Sequence, residues 1–365
     1  MTETASPALK EIFDASRFRH IAEQTAAIHP AFDGAQFLAL SLTGLNDLSL
    51  LQRLRRMTES LHATLPADYR QTLGILRRLA PRINNNFVTL VLPDYVGLYG
   101  LDDFDASMDA LKFFTGFGSS EFAVRPFLRR DLPRTLAVME RWSLDDGDAV
   151  RRLASEGCRP RLPWSFRLEA LMADPAPVAV ILENLKADPS LYVRKSVANH
   201  LNDITRDHPA WVLDRIESWQ LGTPHTAWIA KRALRTLIKK GDQRALAVIG
   251  AGAAPKVRVH DLLLSPRQLT LGGRLSLSCR LESASSESQR LVIDYIVHYV
   301  KKSGATSAKV FKLKELTLGA GESVSIAREQ QIRDFTTRVH HAGRHEVDIV
   351  INGERLARDF FHLSR

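Results

Sequence analysis

Cysteine is nearly absent from this chain. Of 365 residues only Cys158 and Cys279 are cysteines, too few for a disulfide framework and too isolated for a cysteine-rich zinc site or an iron–sulfur cluster. A reducing, cytoplasmic setting fits that usage. Long apolar runs are absent too. The most apolar stretch, Phe87 to Leu101, is broken by Thr89, Pro93 and Asp94, and Met1 to Lys10 has no basic region followed by an apolar one. Neither a signal peptide nor a membrane span is expected. The sequence also has no G-x-x-x-x-G-K-[ST], no strand-flanked G-x-G-x-x-G, no G-x-S-x-G, and no H-x-E paired with P-C-x-x-C. Nucleotide hydrolysis, dinucleotide redox chemistry, lipase-type hydrolysis and zinc-dependent deamination lose their usual signatures. No cofactor and no metal is expected. His340, His341 and His345 form the single histidine cluster, and read as a polar turn beside a strand.

What the chain does have is 45% hydrophobic and 25% charged residues with a mean hydropathy of −0.14, the profile of a globular protein with enough chain for two domains. It also has a formal charge of +9, which points to a polyanionic partner. That charge is uneven. Residues 1–109 carry 10 basic and 13 acidic side chains, residues 110–250 carry 22 and 16, and residues 251–365 carry 18 and 12. A phosphate-binding surface is therefore expected from the middle and the tail.

From about residue 8 to 249 apolar residues recur at helical spacing, as in Leu42, Leu45, Leu48, Leu51 and Leu54, or Leu73, Leu76 and Leu79. Asp188-Pro189-Ser190, Asp207-His208-Pro209 and Gly241-Asp242 punctuate the pattern as helix starts and stops. Helices of roughly 10 to 17 residues in an all-α antiparallel arrangement follow. Val124-Arg125, Val150-Arg151, Val193-Arg194 and, more loosely, Ile229 to Lys231 suggest a weak repeat of helix pairs. Coincidental helix starts are the alternative to a HEAT-like solenoid.

The composition changes at Gly250 to Pro255, which has the small residues of a linker. Past it the period becomes 2. Leu275, Leu277, Cys279 and Leu281 alternate with polar residues; Leu291 to Val300, Lys309 to Leu318, Val324 to Ile326 and His345 to Ile351 are similar, and Asn352-Gly353 is a type I′ hairpin signal. Six or seven short strands predict an immunoglobulin-like β-sandwich over 251–365, held by packing alone, behind a helical domain over 1–250.

On a helix, Val193, Val197, Leu201 and Ile204 make one apolar stripe, while Lys195, Asn199, Asn202 and Arg206 face away with Asp203 at the edge. Two amides, a carboxylate and two cations on one face suit phosphates and a cationic centre together. By spacing alone Asp203 is placed for an ion pair with Arg206 one turn on. Glu121 sits where Ser119 or Ser120 would cap a helix, a favourable place for a carboxylate. Trp164 follows two prolines in Arg159-Pro160-Arg161-Leu162-Pro163-Trp164, where it either plugs a gap between helix pairs or offers its ring to a ligand. Trp142, Trp211, Trp219 and Trp228 read as packing residues.

The segment Val193 to Pro209, VRKSVANHLNDITRDHP, resembles a segment of the HEAT-like-repeat alkylpurine DNA glycosylases. Ser119 to Phe127, SSEFAVRPF, is similar to their AlkC branch, as is Pro93 to Phe104. Members of that branch carry a C-terminal immunoglobulin-like domain, as the tail here suggests. The resemblance implies a monofunctional DNA glycosylase that hydrolyses the N-glycosidic bond of cationic alkylated bases such as N3-methyladenine in duplex DNA. It would leave an abasic site and act without flipping the base. It also implies Asp203 and Glu121 as catalytic carboxylates and Trp164 as a contact to the lesion or its sugar. The phosphate contacts would be Arg151, Arg152, Arg159, Arg161, Arg194, Lys195 and Asn199, with Lys231, Arg232 and Arg235 further along. The partner is double-stranded DNA, no membrane is involved, and a monomer is expected. The competing reading is a non-catalytic HEAT-like scaffold that binds DNA or protein.

Overall fold

A computed structural model describes residues 9–335 and 338–365. The chain forms two compact units, one comprising the chain up to His208 together with Leu221–Ile229, the other Pro209–Gln220 together with Ala230–Arg365.

Twelve α-helices lie wholly in the first unit's described residues: α1 (Ala15–Ile28), α2 (Gly34–Leu42), α3 (Leu50–Thr64), α4 (Tyr69–Leu79), α5 (Val91–Tyr99), α6 (Phe104–Phe114), α7 (Arg125–Arg130), α8 (Leu132–Trp142), α9 (Asp148–Glu156), α10 (Glu169–Ala173), α11 (Ala179–Asn184) and α12 (Leu191–Ile204). Aspartates start many of them. Asp14, Asp33, Asp68 and Asp131 each accept a hydrogen bond from a backbone N–H in the first turn of the helix they precede, satisfying a donor the helix itself leaves open. Asp94, Asp103 and Asp109 pair with Arg55, Arg70 and Arg77. The acidity of the first third thus serves helix starts and helix-to-helix pairs. Several helices are shorter than the expected 10 to 17 residues, because one helix's stop is the next one's start. Asp131 ends the six-residue α7 and caps α8, with Pro133 at that helix's second position.

The expected repeat is visible at one spacing. Val150-Arg151 and Val193-Arg194 occupy the third and fourth positions of α9 and α12, which pack against each other. Val124-Arg125 instead straddles the first residue of α7. Behind the α9/α12 pair, Ser155 and Ser196 hydrogen-bond in the core. The largest wholly buried side chains are two arginines, Arg53 and Arg125. Each turns its guanidinium onto backbone carbonyls: Arg53 onto Leu48, Lys10 and Phe13, Arg125 onto Gly157, Arg159 and Phe166. Arg53 is also paired with the Glu11 carboxylate, and in Arg125 both terminal nitrogens are paired while Nε is not; such pairing lowers the cost of burying a cation.

The second unit holds α13 (Pro209–Ser218), the last residues of α14 (Pro224–Ala233), α15 (Arg235–Lys240), α16 (Gln243–Val248) and the β-sandwich. Among its described residues the eight strands are β1 (Val257–Ser265), β2 (Gln268–Thr270), β3 (Arg274–Ser283), β4 (Gln289–Val300), β5 (Thr306–Leu318), β6 (Ser323–Gln331), β7 (Gly343–Ile351) and β8 (Glu354–Ser364). One sheet has the order β1-β3-β6 and the other β2-β8-β7-β4-β5. Pairing is antiparallel throughout except for the short parallel pair β2–β8. Leu275, Leu277, Cys279 and Leu281 of one sheet meet Ile293, Tyr295, Val297, Val347, Ile349 and Ile351 of the other to form the core. Asn352 and Gly353 turn the β7–β8 hairpin with φ of 47° and 84°, the left-handed pair a type I′ turn demands.

Eight strands exceed the six or seven expected. The strand β1 is hard to read because its alternation breaks at Asp261, which sits in a left-handed conformation (φ 55°) where the register with β3 shifts, as a bulge requires. The histidine cluster is structural. His345 donates from Nε2 to the His341 carbonyl, accepts the Val300 N–H at Nδ1 and stacks on Phe361. Among the described residues no helix is long and apolar enough to cross a membrane.

Candidate active site

The first unit contains a solvent-open cleft of about 590 Å³ whose lining includes Glu121, Arg152, Glu156, Arg159, Trp164 and Tyr192. Four segments far apart in sequence build it, one of them Asn86, Phe87 and Leu90 ahead of α5. The turn before α7 supplies Glu121, α9 and the loop after it supply Arg152, Glu156, Arg159 and Trp164, and the start of α12 supplies Tyr192.

Two glycines let these segments approach. A Cβ on Gly97 of α5 would lie 3.1 Å from the Ala123 Cα, and one on Gly157 would lie 2.5 Å from a Val124 methyl and 3.1 Å from the Leu153 carbonyl. Any larger residue at either place would push the Glu121 turn away. Arg125, two residues beyond Ala123, then ties the loop 157–166 to the same turn through its three carbonyl contacts. Burial pulls its guanidinium down to about 10, and it still carries its proton at neutral pH.

The charged side chains form one continuous chain. Ser119 Oγ donates to Glu121 Oε2 at 2.5 Å; Arg152 Nη1 donates to that same oxygen and to Ser119 Oγ at 3.1 Å. Arg152 Nη2 lies 3.7 Å from Glu156 Oε1, and Arg159 Nη1 donates to that Glu156 oxygen at 2.6 Å. Arg159 Nε then donates to Asp203 Oδ2 at 2.9 Å. All five charged members are buried or nearly so, with side-chain exposures of 8 to 14%. Burial raises the Asp203 carboxyl above its ordinary value and repulsion from Glu156 adds to that, while Arg159 and Arg206 pull it down. A carboxylate held in such surroundings interacts more strongly with a positive charge than one in water.

Trp164 stands at the mouth. It is 64% exposed and has a left-handed backbone with φ of 65°, a conformation that costs a bulky L-residue on the order of 1–3 kcal/mol. Such strain persists at binding sites, where the surrounding structure imposes it. The ring is no plug between helix pairs: it walls the charged cleft on one side and an apolar recess with Leu90, Phe122 and Phe166 on the other. Opposite, the Tyr192 ring lies 4.5 Å from the Arg152 guanidinium.

Glu121 and Trp164 therefore share one cleft, with Asp203 joined to it through Arg159. The ion pair of Asp203 with Arg206 is replaced by the Arg159 pair; Arg206 lies beyond the end of α12 and is exposed. Asn202, expected on the polar face, is buried, and Asn199 is half-buried. The arginines expected at phosphates have internal partners. Arg151 binds Asp188 at 2.6 Å, Arg161 binds Asp207 at 2.8 Å, and Arg194 donates to the carbonyls of Asp188 and Pro189 beneath the Trp228 ring. Lys195 is exposed. In the second unit Lys231 pairs with Glu315, Arg232 is exposed, and Arg235 is half-buried and donates to the Arg232 carbonyl. Trp142 and Trp219 are buried, and Trp211 and Trp228 half-buried.

Glu156, Ser119, Arg125 and Tyr192 went unread as parts of a site. For Glu156 a signal existed: it is four residues after Arg152 and three before Arg159, the spacing of neighbours on one helix face. For Arg125 none did, because its partners are backbone carbonyls.

Comparison with known proteins places the chain among relatives. A family model described as a DNA alkylation repair enzyme matches residues 115–240, and one described as the C-terminal Ig-like domain of the uncharacterised protein YhaZ matches residues 258–365. The uncharacterized protein YhaZ of Bacillus subtilis (strain 168) is 43% identical over 347 residues, covering 95% of this chain and 96% of that protein. The solved Pseudomonas fluorescens alkylpurine DNA glycosylase AlkC, bound to DNA containing an abasic site analog, is 58% identical with a TM-score of 0.96, covering 98% of this chain and 100% of that one. The two sequence segments around Glu121 and Asp203, the helical unit that brings them to one site and these relationships lead to one conclusion: the chain belongs to the AlkC family of alkylpurine DNA glycosylases.

Proposed function

We propose that this glycosylase hydrolyses the N-glycosidic bond of cationic alkylated bases, N3-methyladenine foremost, in duplex DNA, leaving an abasic site without flipping the base out. An alkylated purine already carries its positive charge, leaves as a neutral base and asks little of a general acid. The positive charge of the transition state gathers instead on the sugar. A carboxylate about 4 Å from it contributes roughly 4 kcal/mol at an effective dielectric of 20, which is about a thousandfold in rate. Glu121 and Asp203 are the residues for that role, Asp203 also orienting the attacking water, and Trp164 offers the face of its ring to the cation.

The observation that carries this reading is the buried carboxylate chain beside an exposed, strained tryptophan. Phe87, Leu90, Phe122, Leu162 and Pro163 line the cleft beside the paired charges, and its open mouth lets these groups meet a base that stays in the stack. Lys195, Arg232 and the exposed arginines of the sandwich supply cations for the duplex backbone.

The test is duplex DNA bearing N3-methyladenine, with free base and abasic sites scored. Wild-type protein is expected to release the base, and Asp203→Asn to bind the same duplex while its single-turnover rate falls about a thousandfold. The wild-type rate is expected to decline on the acid side at a pH above the ordinary carboxylate range, because burial holds the Asp203 carboxyl high. A wild type that binds the duplex and releases no base overturns the proposal.

A further inference from the structure

Excision changes the charge of the group that leaves. The C1′–N bond breaks, its electron pair stays on the ring nitrogen and cancels the positive charge, and the oxygen of water bonds to C1′ with the loss of a proton. The freed purine is neutral, so the carboxylates of the cleft no longer attract it. Beside the cleft lies the apolar recess bounded by Trp164, and the two share Leu90, Ser119, Phe122 and Trp164 as walls.

The recess measures about 270 Å³. That is just below the roughly 300 Å³ at which pockets for drug-sized ligands begin, a size for a free base rather than a nucleoside. Leu54 of α3, Pro93 and Leu98 of α5, and Phe166 of the loop after α9 add apolar walls that the cleft lacks. The Arg129 guanidinium lies 3.5 Å from the Phe166 ring centroid and holds that ring in place. One ion pair interrupts the apolar lining. Arg55 donates from Nε and Nη2 to the two Asp94 oxygens at 3.1 and 3.0 Å, so the pair brings no net charge. An aminopurine edge offers an amino donor beside a ring-nitrogen acceptor, and the pair offers a carboxylate beside a guanidinium.

We propose that this recess is a product site, which takes up the neutral alkylated purine once the glycosidic bond is broken and turns its amino edge toward Asp94 and Arg55. The reaction itself drives the transfer. Loss of the positive charge ends the attraction of the cleft and removes the penalty for entering an apolar wall-lined space.

This inference rests on the proposed excision of alkylated purines, so its test is equilibrium dialysis of free N3-methyladenine, which needs no turnover. Wild-type protein saturated with a duplex carrying an abasic site is expected to bind the free base saturably, and deoxyadenosine at least about tenfold more weakly. Leu98→Trp fills the recess from α5 and is expected to weaken binding of the base by at least about tenfold. Asp94→Ala removes the acceptor from a partly exposed ion pair, which contributes little to folding; it is expected to melt within a few degrees of wild type and to bind the base several-fold more weakly.

No saturable binding of the base by wild type, binding that the abasic-site duplex abolishes, or binding that survives unchanged in a folded Leu98→Trp or in Asp94→Ala each overturns the inference; the second of these makes the recess a seat for the duplex. A wild type that excises N3-methyladenine but does not bind it overturns this inference alone. One that binds the base in the recess yet releases none from the duplex supports the purine site and overturns the proposed reaction.

Discussion

Residues 110–250 and 251–365 carry the same net charge, +6 each, yet spend their cations differently. Arg151, Arg152, Arg159 and Arg161, all in the helical unit, have side-chain exposures of 8 to 15% and each grips a carboxylate. In the sandwich the comparable arginines remain in solvent: Arg267, Arg344, Arg355 and Arg358 are 43 to 55% exposed even where they touch an acid. Asp348, itself wholly buried, is surrounded by Arg355, Arg358 and His298. Net charge therefore states how many cations a region has and not how many it can offer. In the helical unit most of the cations near the cleft hold the fold and the proposed catalytic carboxylates; in the sandwich many stay at the surface, Arg344, Arg355 and Arg358 among them on β7 and β8.

The sharpest way to test this contrast is Arg151→Ala. The change leaves Asp188, with 3% side-chain exposure, buried without its cation and with the Ser190 N–H as its remaining donor, and is expected to cost about 3–5 kcal/mol of stability, read as a large drop in melting temperature. The salt dependence of DNA binding is expected to stay unchanged. If the salt slope flattens while the melt stays put, Arg151 is a phosphate contact and the division between the two regions fails.

Trp164→Ala comes next in size. Removing a cation–π interaction of about 0.5–2 kcal/mol is expected to slow excision by up to about thirtyfold. Stability should hold, since the ring is exposed and alanine, which keeps the Cβ, leaves the left-handed strain as it is. A marked drop in stability would make the ring a packing residue after all.

Arg355→Ala should be the mildest. Arg358 and His298 still cover Asp348, so the folding cost is expected below about 1 kcal/mol, as for other exposed pairs. Its mark is the slope of log affinity against log salt, expected to fall by about 0.9 when one cation no longer neutralises a phosphate. An unchanged slope removes this face of the sandwich from the DNA interface. Truncation after residue 250 is a poorer tool for the same question, because α13, α15 and α16 belong to the same compact unit as the strands and would lose their packing with them.

Much of this protein was legible before any coordinates. The switch from a period near 3.6 to a period of 2 marks the passage from helices to strands between Val248 and Val257, because side-chain periodicity follows directly from backbone geometry. Ser190 and Asp242 start helices, Gly241 ends one, and Asn352-Gly353 turns a hairpin, each from local chemistry that needs no distant partner. Glu121, Asp203 and Trp164 stood out by resemblance to a family. Two strands escaped: β1, whose alternation a bulge at Asp261 destroys, and β2, which is only three residues long.

What the sequence by itself determined, then, was everything set by neighbours along the chain: helix and strand, caps and turns, and the count of charges in each region. Only the tertiary structure decided which charges meet. That Arg159 answers Asp203 44 residues on rather than Arg206 three residues on, that Glu156 stands between two arginines that each hold a carboxylate from another segment, and that Arg125 disappears among backbone carbonyls all depend on how helices pack. An arginine reads the same in a sequence whether it faces water or a buried acid. The choice is made by desolvation, which no local pattern records.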